Sequence, residues 1–341
     1  MGSTGHRGNL ITAGGRAAKR PTMLDVARHA GVSLKTVSRV INAEDGVAPA
    51  TAERVRLASR ELGFRRNDVA RDLRTGASSA TVGFVMGDVG NPFYAAMHRA
   101  IEQVADERDH LVVTASSEED PTRERELLLE LCRRRVDGLL VVPTAADHAY
   151  LSLEIDLGTP VVALDRALGA VGADCVVPDN VNAARAGVAG LISAGHDRIV
   201  ALTSSDFAAL DERVEGYRLA MLEAGRAPVV VDVEQDPRAA RAATMDVVAW
   251  AQPPTALFSV NNRLSVGVVG ALLRTQADVE LLAFDTFELA DVLPIELHII
   301  AHDPAEMGRI GAEFLFDRLD GFEGEPRKHV VSTRSWSYTR D

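Results

Sequence analysis

A chain of 341 residues exceeds one ordinary domain, and with 46% hydrophobic and 25% charged residues it has a core-forming composition that excludes intrinsic disorder. Its formal net charge of −12, taken alone, argues against nucleic acid, because phosphate binding draws on clustered Lys and Arg. The charge is unevenly spread, however: residues 16–74 hold 13 Lys/Arg against 7 Asp/Glu, and with Arg7 the only charge before them the remainder carries about −19. A basic head on an acidic body points to one end that meets phosphate and another with a different task.

The two cysteines, Cys132 and Cys175, have no partnered Cys or His spacing, so neither a disulfide framework nor a zinc site is expected, and no cofactor is called for. The first twenty residues lack the apolar core of a signal peptide, and no stretch is apolar for long enough to span a bilayer. The expected compartment is the cytoplasm, without membrane contact.

In chain order, residues 1–20, rich in Gly, Thr, Ala and Arg, show no periodicity and read as a flexible tail. Residues 21–64 read as three short helices. Thr22 caps the first, which runs to Ala30 and ends at Gly31, a residue suited to the left-handed turn. Ser33 caps a second helix to about Asn42. Pro49 stands near the start of a third that ends at Gly63 and presents Val55, Ala58 and Leu62 on one face. Residues 65–77 follow, with RRNDVARDLRTG over 65–76: Asn67 is an N-cap candidate, and Val69 and Leu73 share a face amid Arg65, Arg66, Arg71 and Arg74. So short a helix is marginal alone in water, and DNA is the obvious agent to order it.

Residues 78–341 change texture. Runs of β-branched and apolar residues at 81–86, 111–115, 138–142 and 160–164, and again at 198–203, 228–233, 255–260 and 279–284, alternate with helical patterns. Such runs predict parallel strands buried on both faces, and hence an α/β body of two successive doubly wound units.

Two sets of residues carry chemistry. Within MLDVARHAGVSLKTVSRVIN (23–42), small Ala27 lets two helices approach, Gly31 turns the chain, and Val26, Ala30, Val32, Val37 and Val40 fill the interior. The outward face holds Ser33, Leu34, Lys35, Thr36, Ser38 and Arg39, donors suited to base edges and phosphates in a major groove. A plain helical hairpin with a solvated face is the competing reading; the arginine-rich segment that follows favours DNA. In the body, ligands of open α/β sheets sit beyond the carboxyl ends of the strands. Those positions offer Asp88 with Asn91, Pro92, Phe93 and Tyr94, then Asp165 and Arg166, Arg213, Asn261 and Asn262, and Asp285. Carboxylates accept from paired hydroxyls, Arg donates in a fork, and aromatic rings cover a sugar's apolar face. Singly, each is more often a helix cap, turn or core residue; their recurrence after strand upon strand favours a site for a small sugar-like molecule.

The runs DVARHAGVSLKTVSRVIN and NDVARDLRTG, with ERVEGYRLAM around Arg213 and LLAFDT around Asp285, resemble the lactose-repressor (LacI/GalR) family from about Thr22 to the C-terminus. The resemblance implies a helix-turn-helix head that reads each half of a palindromic operator, with Leu34, Lys35 and Arg39 at base-reading positions. Thr22, Ser33, Thr36, Ser38, Asn42 and Thr51 match phosphate-contacting positions. It further implies a hinge helix over 65–77, in which Asn67 and Ala70 join the DNA contacts and Leu73 wedges into the minor groove, and therefore a homodimer. Phe93, Tyr94, Asp165, Arg166, Arg213, Asn261 and Asp285 fall on its effector-binding positions, in a two-lobed periplasmic-binding-protein-like body. Lobe 1 is expected at about 78–178 plus 302–321 and lobe 2 at about 179–301 plus 322–341.

Three departures from the family pattern imply an unusual or weakly held effector. Asn262 stands where relatives commonly carry Asp, the chain is short between Leu273 and Val279, and no aromatic residue lies between Asp232 and Asp236. His196, His298 and His302 read as packing or linker residues. A sugar-binding transport protein would share the body but has no use for the basic head. A Rossmann-type enzyme is excluded by the first strand and its loop, VGFVMGDVGNPF, which lack Gly-x-Gly-x-x-Gly, and by the absence of any assembled catalytic set. The expected function is therefore a DNA-binding transcription regulator, a repressor by analogy, whose operator affinity answers to a small polar effector.

Overall fold

The computed structural model describes residues 21–42, 44–64, 79–144, 147–204 and 208–339. The chain divides into two compact units, a head through Ala77 and a body from Ser78. Asn67, Ala70 and Leu73 of the expected hinge lie outside the described residues.

The head is three helices, α1 (Met23–Ala30), α2 (Leu34–Ile41) and α3 (Pro49–Glu61). Thr22 and Asp25 form a capping box: Asp25 N donates to Thr22 Oγ1 at 3.3 Å, and Thr22 N donates to Asp25 Oδ2 at 2.9 Å. Gly31 ends α1 in the left-handed region, with φ 65°, and its N–H returns to Ala27 O. Ser33 Oγ caps α2 by accepting from Thr36 N at 3.1 Å. These caps hold α1 and α2 at the angle at which Val26, Ala27 and Val37 close over Val55 and Ala58 of α3.

The body is built on two six-stranded sheets. The first contains β1 (Thr81–Met86), β2 (Leu111–Ser116), β3 (Gly138–Val141), β4 (Val161–Leu164), β5 (Asp174–Pro178) and β11 (Lys328–Val331), in the order β11-β5-β4-β3-β1-β2, all parallel. The second contains β6 (Ile199–Thr203), β7 (Val229–Asp232), β8 (Ala256–Ser259), β9 (Glu280–Phe284), β10 (Leu297–His302) and β12 (Thr333–Tyr338), in the order β12-β10-β9-β8-β6-β7, with only β12 antiparallel. Around the first sheet lie α4 (Pro92–Asp106), α5 (Pro121–Arg133), α6 (Leu151–Asp156) and α11 (Pro304–Leu319). Around the second lie α7 (Asn180–Ser193), α8 (Ala208–Glu223), α9 (Pro237–Val248) and α10 (Asn262–Thr275).

The central strands are buried on both faces, as continuous apolar runs require. β2 departs from that expectation. It is an edge strand, and Leu111 and Val113 are exposed. Helix pairs close tightly where a side chain is missing: a Cβ on Gly216 of α8 would lie 2.2 Å from the Val181 carbonyl, and one on Gly308 of α11 would lie 2.4 Å from the Met97 carbonyl.

The expected division of the lobes needs one correction. The sequence pattern places 322–341 wholly in the second lobe, but β11 pairs in parallel with β5 of the first sheet, and only β12 belongs to the second. The cause is local. The buried Asp174 carboxylate receives Arg318 Nη2 at 2.8 Å, Arg327 Nη2 at 2.8 Å and the Arg327 backbone N–H at 2.7 Å, which pins the strand following Arg327 against β5. Val331 then enters the core of the first lobe. The chain crosses between lobes at Asp179, Asp303 and Ser332, each a single residue between two regular elements.

Candidate functional site

On the head, Ser33, Leu34, Lys35 and Arg39 are exposed and Thr36 and Ser38 partly so, while Val37 between them is wholly buried. Leu34 is 49% exposed in a helix whose one buried residue is Val37, a placement with no reward inside the head. Thr22 and Ser33 spend their hydroxyls on helix capping. Asn42 is the C-cap of α2 and donates to Glu44 Oε1 at 3.1 Å, and Thr51 sits partly buried in the first turn of α3.

In the body, Asp165 and Asp285 follow β4 and β9, the corresponding parallel strands of the two sheets. Both hold φ 66°, in the left-handed region, and both are tied by their own N–H to the neighbouring strand: Asp165 N to Val176 O at 2.9 Å, Asp285 N to Ile300 O at 2.7 Å. Non-glycine residues in that region are costly and cluster at functional sites. Each aspartate also keeps one buried oxygen, Oδ1, without a hydrogen-bond partner, an acceptor open to a donor from a ligand or water.

Around Asp165 the sequence set comes together. Arg166 Nη2 donates to Tyr94 Oη at 3.1 Å and its Nε lies 3.5 Å from Asp165 Oδ2. Phe93 packs edge-on against Tyr94. The expected fork from Arg166 to a ligand is directed instead at Glu119, with Nη1 at 3.0 Å from Oε2 and Nη2 at 3.3 Å from Oε1, and Nη1 also reaches the Pro143 carbonyl at 3.0 Å. Burial opposes the guanidinium's charge, but the Tyr94 hydroxyl, Glu119 and Asp165 outweigh it and raise its pKa above the usual value. Burial also pushes the Tyr94 phenol well above its ordinary range, so it stays a neutral donor.

Around Asp285, Arg213 Nη1 donates to Asp285 Oδ2 at 2.7 Å and to the Val260 carbonyl at 2.8 Å, and Nε donates to Asn180 Oδ1 at 2.9 Å, with the guanidinium over the Phe284 ring. The two groups meet through His302, at the end of β10. Its ring lies 5.2 Å from Phe93 of the first lobe, centroid to centroid, and its Nδ1 lies 3.6 Å from Asp285 Oδ1. Both His302 ring nitrogens are buried without a hydrogen-bond partner, and burial lowers its pKa, so the imidazole is neutral. Ser204, just past β6, contributes a further buried hydroxyl without a partner.

Asn261 behaves differently from the rest of the predicted set: its side-chain oxygen caps α10 by accepting from Leu264 N at 2.9 Å. Glu119, His302 and Ser204 were not singled out from sequence as ligand candidates. The signal was present, since each lies at or just past the carboxyl end of a strand. His196 and His298 stay packing residues, both paired to Glu280 Oε2 at 3.0 and 2.9 Å. A groove of about 420 Å³ between α7 and β10/β12 shares none of the cleft side chains and is lined largely by Ala, Gly and edge-strand residues. Burial pushes the Cys132 thiol to about 12 and raises Cys175, so neither is a ready nucleophile. Among the described residues no group of three or more His, Cys, Asp or Glu could hold a metal ion, and no helix is long and apolar enough to cross a membrane.

Comparison with known proteins matches both units. Residues 22–67 match the family model "Bacterial regulatory proteins, lacI family", and residues 79–328 match "Periplasmic binding proteins and sugar binding domain of LacI family". The ribose operon repressor of Escherichia coli (strain K12) is 31% identical over 307 residues, covering 87% of this chain and 93% of that one. A structure of the transcriptional regulator CelR in complex with cellobiose is 28% identical with a TM-score of 0.66, covering 93% of this chain and 98% of that one. The lac repressor dimer bound to operator and the anti-inducer ONPF shares the fold with a TM-score of 0.78 at 23% identity, covering 92% and 98%.

Proposed function

Since the chain belongs to the LacI family of bacterial regulatory proteins, we propose that it is a transcriptional repressor whose head binds operator DNA and whose body binds a sugar that alters operator affinity. The observation that carries the effector half is the pair of buried oxygens without partners, Asp165 Oδ1 and Asp285 Oδ1, contributed by different lobes that meet where Phe93 packs on His302. A polyol satisfies that arrangement: its hydroxyls donate to the carboxylates, the neutral imidazole gives one donor and one acceptor, and the Phe93 ring covers an apolar sugar face. The cellobiose bound to the related regulator CelR is a ligand of this chemistry.

The DNA half rests on the exposed row Leu34, Lys35 and Arg39 beside the partly exposed Thr36 and Ser38. Lys35 and Arg39 reach base edges while Thr22, Ser33, Thr36, Ser38, Asn42 and Thr51 contact phosphates, which fix register without carrying sequence information. The protein acts as a cytoplasmic homodimer on a palindromic operator, each head reading one half-site, with Asn67, Ala70 and Leu73 of the segment 65–77 adding the minor-groove contacts. An effector changes operator affinity only by its different affinity for two states of the body.

A thermal-shift screen of the full chain against sugars, followed by operator-binding titration with and without the hit, tests this reading. The expected result is one sugar class that raises Tm by mass action and shifts operator affinity. A sugar that stabilises the body but leaves operator affinity unchanged would remove the regulatory claim.

A further inference from the structure

Taking as given that the cleft between the lobes binds the effector, we propose that Glu119 makes this cleft selective for uncharged effectors by occupying the Arg166 guanidinium and so withholding it from a ligand phosphate or carboxylate.

Glu119 is placed for this by its backbone. Glu118 and Glu119 are consecutive residues with positive φ, 54° and 57°, separated from β2 by Ser117 alone. Glu119 N donates to the Gly87 carbonyl at 3.1 Å, and the next residue, Asp120, caps α5 by accepting from Thr122 N at 2.7 Å. The turn is thus fixed at both ends, and the carboxylate passes over Gly87, where a Cβ would lie 2.1 Å from Oε1. There it meets Arg166 with both oxygens, accepts from Tyr94 Oη at 3.2 Å, and receives Thr144 Oγ1 at 3.5 Å. The pair is largely shielded, with side-chain exposures of 10% for Arg166 and 17% for Glu119. A two-point guanidinium–carboxylate contact formed before ligand arrives is one that a ligand anion must displace.

The remaining charges at the cleft act in the same direction. Arg213 is paired with Asp285 at 2.7 Å, and Arg263, at the start of α10, lies 3.8 Å from Asp88. Three guanidinium groups therefore each face a carboxylate, while Asp165 Oδ1 and Asp285 Oδ1 remain as acceptors without partners. Among the described residues, an incoming anion would meet carboxylates and guanidinium groups already facing carboxylates, whereas neutral hydroxyls donate to those same oxygens. Specificity of this kind comes from a repulsive element as much as from an attractive one.

The test is calorimetry on the full-length protein with matched pairs: ribose and ribose 5-phosphate, fructose and fructose 1-phosphate, glucose and glucose 6-phosphate. Inorganic phosphate is added as a thermal-shift probe, and both measurements are repeated on Glu119→Gln. Wild type is expected to favour the neutral member of a binding pair by at least about tenfold, and to show no stabilisation by phosphate. Glu119→Gln is expected to narrow that ratio by about tenfold and to gain a phosphate-dependent rise in Tm. A merely structural role for Glu119 would lower Tm without moving the ratio. Wild-type protein that binds an ester as tightly as its parent sugar overturns the proposal while leaving the sugar reading intact. No binding by any member of any pair overturns the sugar reading, and this proposal with it. Should Glu119→Gln fail to fold, the wild-type ratio and the charge-neutral double variant Glu119→Gln/Arg166→Gln, expected to keep excluding phosphate, decide the matter.

Discussion

The side-chain amides of Asn91 and Asn262 face each other across the two lobes and exchange hydrogen bonds, Asn262 Nδ2 to Asn91 Oδ1 at 2.8 Å and Asn91 Nδ2 to Asn262 Oδ1 at 3.4 Å. Asn91 cannot reverse its amide, because the same Oδ1 accepts from Phe93 N at 3.1 Å and caps α4. Aspartate at 262 would therefore set a carboxylate oxygen against the Asn91 oxygen. Asn262→Asp is expected to lower stability by about 1–3 kcal/mol at neutral pH. The loss should shrink in acid, where the protonated carboxyl can donate; urea denaturation at pH 7 and pH 4.5 checks this, and an unchanged midpoint at both would remove the amide pair from the account of the lobe contact. Asn262, a departure from the family pattern, is thus a matched partner for Asn91.

Asp285 both holds Arg213 and offers an acceptor to the cleft. Asp285→Asn keeps the shape but removes the charge from a pair whose side chains are 3% and 11% exposed. Breaking a buried pair leaves an uncompensated charge, so a cost of about 3–5 kcal/mol is expected. Effector response should be lost while operator binding by the head persists. Chemical denaturation and operator titration read the two effects separately, and retained effector response would remove Asp285 from the site.

His302 gives a pH signature. Burial lowers its pKa below the usual 6.5; Asp285, Asp165 and Asp303 pull it upward and Arg213 pushes it down. Above pH 6.5 neither the folded nor the unfolded state carries the proton and His302 adds no pH dependence. As pH falls below that value the unfolded chain takes up a proton that the folded imidazole resists, and stability declines until the lower folded pKa is reached. His302→Gln should flatten the plot of unfolding free energy against pH in that interval. An identical slope in variant and wild type would show that the decline originates elsewhere.

At the far end of the first lobe, Asp174 is held below the usual carboxylate pKa: burial alone would raise it, but Arg318 and Arg327 overcome that. Its stabilising contribution is present above the ordinary value of 3.8 and is lost as pH falls through the lower folded value. Asp174→Asn leaves two arginines without their countercharge and is expected to cost about 3–5 kcal/mol at pH 7, with the difference from wild type vanishing in strong acid. Loss confined to low pH, with none at pH 7, would contradict the pairing.

On the head, Lys35→Ala and Arg39→Ala are each expected to weaken operator binding by about 1–3 kcal/mol. Where the side chain reads a base, sequence preference relaxes at one position; where it contacts phosphate, the salt slope falls by about one. Fluorescence anisotropy over a salt series on an operator selected from a random library distinguishes these outcomes. Full affinity in both variants would move the reading face off α2.

The head was legible in sequence because its signals are local: Thr22, Gly31 and Ser33 act within four residues of themselves, and Val55, Ala58 and Leu62 recur at helical spacing. The interior strands were legible as unbroken apolar runs. What escaped depends on partners distant in sequence. Lys328–Val331 belongs to the first sheet because Asp174, about 150 residues earlier, binds the arginines that lead into it. β2 was read as doubly buried because its composition matches the central strands, and nothing local marks an edge. Asp165, Arg166, Tyr94 and Phe93 could be placed at one cleft from strand ends alone. That Arg166 is already engaged required the paired positive φ of Glu118 and Glu119, which turns an ordinary acidic loop inward.

The three single-residue crossings between the lobes limit the mechanics of the body. Asp179 caps α7 and Asp303 caps α11, so at two of the three links the torsions available to a moving lobe are those that also hold a helix cap. Chains this short cannot stretch, and three of them in parallel resist shear and twist far more than they resist folding about their common line. The motion these adjacent links resist least is opening and closing about a line through Asp179, Ser332 and Asp303. A backbone cut at any one of these points would leave the lobes tethered by the other two and would free the rotation the intact chain forbids, so a nicked protein should hold its sugar and lose the coupling of that sugar to DNA.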